Sequence, residues 1–258
     1  MLKDLGEELK KWQTGGDVEC KFSLLYSDIG KKFYAGLGWH PFPSSHLSFP
    51  PATQQLTSWS ELGVRRLEYP DIRQLCEYDE RVLRKQLADT KGTKTHVALL
   101  PSHDTMQWHH LREDFVTNAL FGRSPTTKGA IGGRDGARVW AVWTRSFYGP
   151  LIDPKSGNTL HILRLVIEDE SDAAREENTR ALRGILELAR DEAREWQLGT
   201  VQMWNPTAYV ERLVEGMEIG HEKVDREEES IASLMWYGEG EGKVENIDWV
   251  WNEKYGWC

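Results

Sequence analysis

The chain has 258 residues, 39% of them hydrophobic, with 41 acidic against 32 basic residues and a net charge of −9. That length and apolar content allow one large domain, or one and a half smaller ones, with a real core. The acidic balance argues against a broad nucleic-acid surface, and no apolar run reaches the length of a membrane span. The first residues mix Asp4, Glu7 and Glu8 with lysines, and read as neither a signal peptide nor a transit peptide. Cys20, Cys76 and Cys258 have the spacing of neither a disulfide framework nor a zinc cluster, so a reducing, cytoplasmic setting is expected. Twelve tryptophans are unusual. They imply either a core of bulky aromatics or an aromatic-lined groove for a partner.

Leu2, Leu5, Leu9 and Trp12 recur three and four residues apart, which predicts a helix over 2–12 ended by Gly15-Gly16. A strand is predicted over 18–26, through Phe22, Leu24 and Tyr26. Ser27 or Asp28 is placed to cap the next helix, which carries Phe33, Tyr34 and Leu37 and stops near Gly38. Pro41, Pro43, Pro50 and Pro51 make 40–60 a linker or clamp of extended chain. A larger second domain is expected from 61 to 258. It opens with a short strand at 67–69 and a helix over 71–88 that turns Ile72, Leu75, Cys76, Leu83 and Leu87 inward. A strand or an exposed hydrophobic edge at 95–100 and a helix over 104–121, capped by Ser102 or Asp104, follow. The Gly- and Thr-rich span 122–136 reads as a loop. Strands 137–145 and 159–168 form a hairpin through Asp153-Pro154-Lys155-Ser156-Gly157-Asn158. A long helix covers 173–196, with a strand at 201–204, a helix at 207–215 and a closing strand at 231–237 after it.

This order contains an echo. Helix, strand, polar turn, helix occurs over residues 2–37 and again over 173–215, which suggests two related α/β units. Other constellations carry less. His103, His109, His110 and Glu113 have no metal-ligand spacing and read as structural or groove-lining residues. Ser44-Ser45-His46 is a weak nucleophile–base arrangement. The glycines at 129, 132, 133 and 136 lack the Lys-Ser or Lys-Thr ending of a phosphate loop. The acidic runs 222–229 and 239–245 read as solvated faces.

The stretch Leu24-Leu25-Tyr26-Ser27-Asp28-Ile29-Gly30-Lys31-Lys32-Phe33-Tyr34-Ala35-Gly36-Leu37-Gly38-Trp39 resembles the last strand and helix of a Gcn5-related N-acetyltransferase. Ser27, Gly30, Tyr34 and Gly38-Trp39 stand where many members of that superfamily carry Asn, Ala, Tyr and Gly-Phe. The segments Trp39-His40-Pro41-Phe42-Pro43-Ser44-Ser45-His46, Met106-Gln107-Trp108-His109-His110-Leu111-Arg112 and Asn158-Thr159-Leu160-His161-Ile162-Leu163-Arg164 resemble fungal lysine N-acetyltransferase-like proteins. The resemblance implies an α/β (α+β) fold with a mixed, mainly antiparallel sheet and flanking helices, preceded by a truncated unit of the same kind. It also implies that the strand through Leu47 and Phe49 completes the first sheet. Residues 1–60 would then be the C-terminal half of an acetyltransferase-like domain plus the linker, and 61–258 a complete but degenerate one.

The resemblance further implies acetyl-CoA as cofactor, Ser27, Gly30 and Tyr34 on the cofactor side, Tyr34 as proton donor to the departing thiolate, and a small primary amine such as lysine as substrate. From charge, hydropathy and ligand spacing, no metal, nucleic-acid or membrane partner is expected. Two departures count against a working catalyst. The superfamily holds pyrophosphate on backbone amides of a Gly-rich loop at a helix N-terminus; here the chain opens within the helix that follows such a loop. The second unit has Ile167-Glu168-Asp169-Glu170-Ser171-Asp172 at that point, with Arg212 at the tyrosine position. The expectation is an N-acetyltransferase incomplete in this chain. A non-catalytic α/β protein that binds a partner or ligand stays open as the alternative.

Overall fold

The computed structural model describes residues 2–11, 19–151, 153, 156–238 and 244–257. Among them the elements run α1 (Leu2–Lys11), β1 (Phe22–Ser27), α2 (Lys31–Ala35), β2 (His40–Pro41), β3 (Ser45–Phe49), α3 (Ser58–Glu61), β4 (Arg65–Leu67), α4 (Tyr69–Asp89), β5 (Thr95–Val97) and α5 (His103–Phe121). They continue with β6 (Gly129–Gly132), β7 (Val139–Ser146), β8 (Thr159–Ile167), α6 (Arg175–Glu195), β9 (Thr200–Trp204), α7 (Ala208–Glu215), β10 (Glu222–Asp225), β11 (Ile231–Trp236) and β12 (Ile247–Trp249). The fold is mixed α/β with flanking helices. Trp12, Gly15-Gly16, Pro154, Lys155 and the acidic residues 239–243 of the sequence reading lie outside the described residues.

The chain divides into two units. The first comprises 1–45, 87–99 and 225–252. Its three-stranded sheet has the order β1-β11-β2, and β5 pairs in parallel with β12. Phe42, Val97, Leu234, Ile247 and Trp249 are buried at its centre. The second unit comprises 46–86, 100–224 and 253–258. It holds a seven-stranded sheet of order β10-β3-β9-β8-β7-β6-β4. The pairing is antiparallel from β4 through β8, and β8 runs parallel to β9 across the α6 crossover. Ala181, Ile185, Leu188 and Ala189 of α6, with Trp196 at its C-cap, are buried in this unit's core, on the face that their spacing predicted.

Two strands depart from the sequence reading. The segment through Leu47 and Phe49 does not complete the first sheet: as β3 it pairs antiparallel with β9, His46 opposite Trp204 and Phe49 opposite Val201. Leu47 and Phe49 are both buried there in the larger core. The segment predicted to close the larger domain is β11, which lies between β1 and β2. The span 122–136 is not all loop. Every residue of β6 is buried, and a Cβ on Gly129 would lie 2.2 Å from the Ala141 carbonyl oxygen. Its glycines read as turn signals in the sequence; Gly129 serves instead a close approach of backbone to backbone.

Caps follow two patterns. The Ser102 hydroxyl accepts from the Thr105 amide and caps α5 as predicted, and Gly122 ends the helix at φ 67°. Neither Ser27 nor Asp28 caps α2. Gly30 holds that position at φ 77°, while Ser27 Oγ accepts from the Ile29 amide and the Asp28 carboxylate from the Ser230 amide. In the predicted hairpin turn, Asn158 Oδ1 accepts from the Tyr148 and Gly149 amides at 2.7 and 3.1 Å.

The second unit also buries charge. Glu113 accepts from Lys128 Nζ, Arg145 Nη1 and the Arg145 amide, each at 2.7 Å, with all three side chains inaccessible to solvent. Arg145 also meets Glu192. Desolvated charges persist only when paired and hydrogen-bonded in this way. His109 Nε2 donates to the Tyr255 carbonyl and His110 Nε2 to the Trp143 carbonyl, both at 3.1 Å. Burial pushes both imidazoles down to about 4.

Two outcomes follow. Gly129→Ala should lower unfolding free energy by about 2–3 kcal/mol, because the clash is with backbone and cannot be relieved by a rotamer; urea denaturation measures it. His109 and His110 stay neutral in the folded chain, whereas unfolded histidine takes up protons below about pH 6.5. Their contribution is therefore present above that pH, and acidification toward pH 4 should erode stability by up to about 3 kcal/mol per histidine. Urea midpoints measured across this range should flatten in a His109→Asn, His110→Gln double variant.

Candidate functional site

The residues singled out by the tyrosine motif sit at the end of β1 and on α2. Strand β1 ends at buried Ser27, and Gly30, at positive φ, turns the chain into α2. Tyr34 projects from the last turn of this short helix. Its ring stands edge-on to Phe33 at 5.0 Å and to Trp39 at 6.3 Å. Trp39 is itself fixed: its amide donates to the Tyr34 carbonyl and its indole N–H to Ser23 Oγ, both at 3.0 Å. Ser23 Oγ lies 2.6 Å from the Tyr237 hydroxyl. The Tyr34 ring is thus held by packing. Tyr34 is half-buried, and its hydroxyl has no protein partner among the described residues.

Ser27 and Gly30 are committed elsewhere. The Ile29 amide is taken by Ser27 Oγ, and the Gly30 amide donates to the Glu228 carbonyl at 2.9 Å. Lys31 pairs with Glu227 at 2.7 Å. The Ile29 and Gly30 amides are thus occupied, while no side chain caps α2, and the Glu227 carboxylate borders the turn.

Carboxylates also border the corresponding turn of the second unit, between β8 and α6. Glu168 is drawn onto Arg138, which donates from Nε at 2.7 Å. Asp169 Oδ1 accepts from the Ser171 amide at 2.9 Å, and that bond holds its carboxyl below the usual range. The Asn178 amide group closes the turn by donating to the Asp169 carbonyl. The first amides of the helix face a loop that carries its own carboxylates, which repel a diphosphate. A groove of about 600 Å³ runs beside α6, lined by Leu62, Asp172, Arg175, Glu176, Arg180 and Arg183. Its charges are mixed: Arg180 donates to the Glu61 carbonyl and Arg183 to Glu187.

The remaining candidates belong to the framework. His109, His110 and Glu113 are buried in the bonds described above, and no group of three potential metal ligands occurs among the described residues. Ser44 Oγ donates to the Phe42 carbonyl at 3.1 Å. Six of the tryptophans (Trp39, Trp140, Trp143, Trp196, Trp204 and Trp249) are buried, which favours the core reading of that composition. The sequence reading missed Ser23, which steadies Trp39 and so Tyr34, and Arg164 and Glu253, which meet beside β8. The 89 positions between Arg164 and Glu253 leave no local pattern to find.

No helix among the described residues is long and apolar enough to cross a membrane. No curated protein matches the chain. Among solved structures it is similar to a GCN5-related N-acetyltransferase from Anabaena variabilis, at 12% identity, 90% coverage of this chain, 48% of that one and a TM-score of 0.43. A GCN5-related N-acetyltransferase from Kribbella flavida gives 15% identity, coverage of 91% and 47%, and a TM-score of 0.45. Saccharomyces cerevisiae N-myristoyltransferase gives 10% identity, coverage of 83% and 52%, and a TM-score of 0.38. The chain spans about half the length of these structures. Residues 46–258 match the family model described as the LYC1 GNAT-like C-terminal domain. The chain therefore belongs to that family and has the fold of the Gcn5-related N-acetyltransferase superfamily.

Proposed function

We propose that this chain takes part in the acetyl-CoA-dependent N-acetylation of a small primary amine, with Tyr34 as general acid. The observation that carries the reading is the placement of Tyr34: its ring is fixed by Phe33 and Trp39, the residue is half-buried, and its hydroxyl has no partner among the described residues. The family match begins at residue 46, so Tyr34 rests on the superfamily motif and on its own geometry. Acetyl-CoA supplies a thioester whose carbonyl carbon takes the amine and whose sulfur leaves. A phenol O–H can donate its proton to such a leaving group at short range. Ser27 and Gly30 act as positioning residues, ending β1 and setting the angle at which α2 presents the ring. The amine expected from the resemblance to fungal lysine N-acetyltransferase-like proteins is the side-chain amine of lysine.

A second reading, a non-catalytic protein that binds a ligand or partner, is favoured by one observation: carboxylates border both β–α turns, Asp28 and Glu227 the first and Asp169 and Asp172 the second, where they repel a pyrophosphate. One assay separates the two. The chain is incubated with acetyl-CoA and free lysine, and acetyl-lysine is measured by mass spectrometry. Turnover is expected to fall about 100-fold or more in Tyr34→Phe, with KM for acetyl-CoA little changed. Equal turnover in the variant would remove Tyr34 from the chemistry. Absence of product from the unaltered chain would favour the binding reading.

A further inference from the structure

Strands β8 and β9 are parallel and pair only from Thr159–Thr200 to Ile162–Met203. Beyond Ile162, β8 runs on to Ile167 while β9 ends at Trp204. A crevice outside the carboxyl ends of parallel strands is where open α/β sheets take their ligands. In this unit the place is filled by the chain itself. Glu253 spans the free side of β8: one carboxylate oxygen meets Arg164 Nη1, and the other accepts from the Leu165 amide at 2.9 Å. Arg164 is gripped from behind by Asp79 of α4, through Nε at 2.8 Å and Nη2 at 3.0 Å. The next residues form a single turn of 3-10 helix, Lys254–Gly256. Tyr255 is fully buried and its carbonyl takes the His109 N–H. Trp257 then lies on Trp204, the last residue of β9, with ring centres 5.6 Å apart. The Lys254 ammonium sits 4.8 Å from the Trp204 ring and 4.4 Å from that of Trp257, and donates to the Trp257 carbonyl.

We infer that segment Glu253–Trp257 is the resident occupant of this crevice and closes it to acyl-CoA. The segment supplies what an extended ligand would otherwise supply: an acceptor for the exposed β8 amide, a counter-charge for Arg164 and a flat partner for Trp204. An incoming thioester would have to displace all three at once. Any acyl-CoA taken up by the chain is then held elsewhere. The inference goes beyond the proposed transfer reaction and borrows from it only the choice of probe.

The test uses a photoreactive benzophenone-acyl-CoA on the full chain, with labelled peptides mapped by mass spectrometry. Peptides covering 159–176 and 200–210 should stay unlabelled in the unaltered chain. In a Glu253→Gln, Trp257→Ala double variant they should label at least about five-fold more strongly, in a manner competed by free CoA. Labelling of these peptides in the unaltered chain would overturn the inference, and so would their absence from a folded double variant. Should the variant fail to fold, hydrogen exchange on the unaltered chain decides. The Leu165 amide, bonded to Glu253, should exchange at least about 100-fold more slowly than an open amide without any ligand. Fast exchange there would overturn the inference. Absence of label anywhere on the unaltered chain would count against the transfer reaction alone, leaving this inference to the variant and the exchange rate.

Discussion

The second unit is organised around the desolvated guanidinium of Arg164. A cation in the middle of a sheet is tolerated only when its donors are matched by carboxylates held in place. Asp79 comes from α4 and Glu253 from the C-terminal segment, so this one residue of β8 fixes a helix and a distant stretch of chain at once. The arrangement has a direct consequence for chemistry. The same carboxylate that neutralises Arg164 also takes the Leu165 amide, the group that the free side of β8 would present to a ligand. Removing Asp79 or Glu253 would strip charge-assisted hydrogen bonds from the buried guanidinium while the other carboxylate still pairs with it.

The second organising feature is the repeated placement of one inserted strand. In the smaller sheet, β11 lies between β1 and β2; in the larger, β3 lies between β9 and β10. The flanking elements repeat in order, α1–β1–α2–β2 and α6–β9–α7–β10, and in both cases the inserted strand is antiparallel to the first of them. The echo noticed in the sequence is therefore longer than the sequence shows. An inserted strand satisfies the backbone groups on both its edges, and nothing requires it to be adjacent in sequence to the strands it joins.

For function, the two β–α turns differ in what they leave available. The turn after β1 presents a half-buried phenol held by ring packing. The turn after β8 presents carboxylates and an Asn178 bond that close it. Superfamily membership alone would not separate these cases, because fold and site are independent properties. The residues of the turns do separate them.

The sequence by itself determined the local elements. The apolar spacing of 173–196, the Ser102 cap and the runs 137–145 and 159–168 on either side of turn residues each encode a structure within one or two turns of chain, where side chains and backbone bond to near neighbours. It also determined the motif that singles out Tyr34. Tertiary structure alone decided which sheet β3 and β11 join, since strand pairing over long separations depends on whole-core burial rather than on local pattern. It decided that Gly129 belongs to a buried strand, because its Cβ-free approach to Ala141 involves a neighbour in space. And it decided that Glu253–Trp257 lies at the ends of β8 and β9. A buried ion pair between residues 164 and 253 has no signature in either neighbourhood, and only the folded chain brings its charges out of water together.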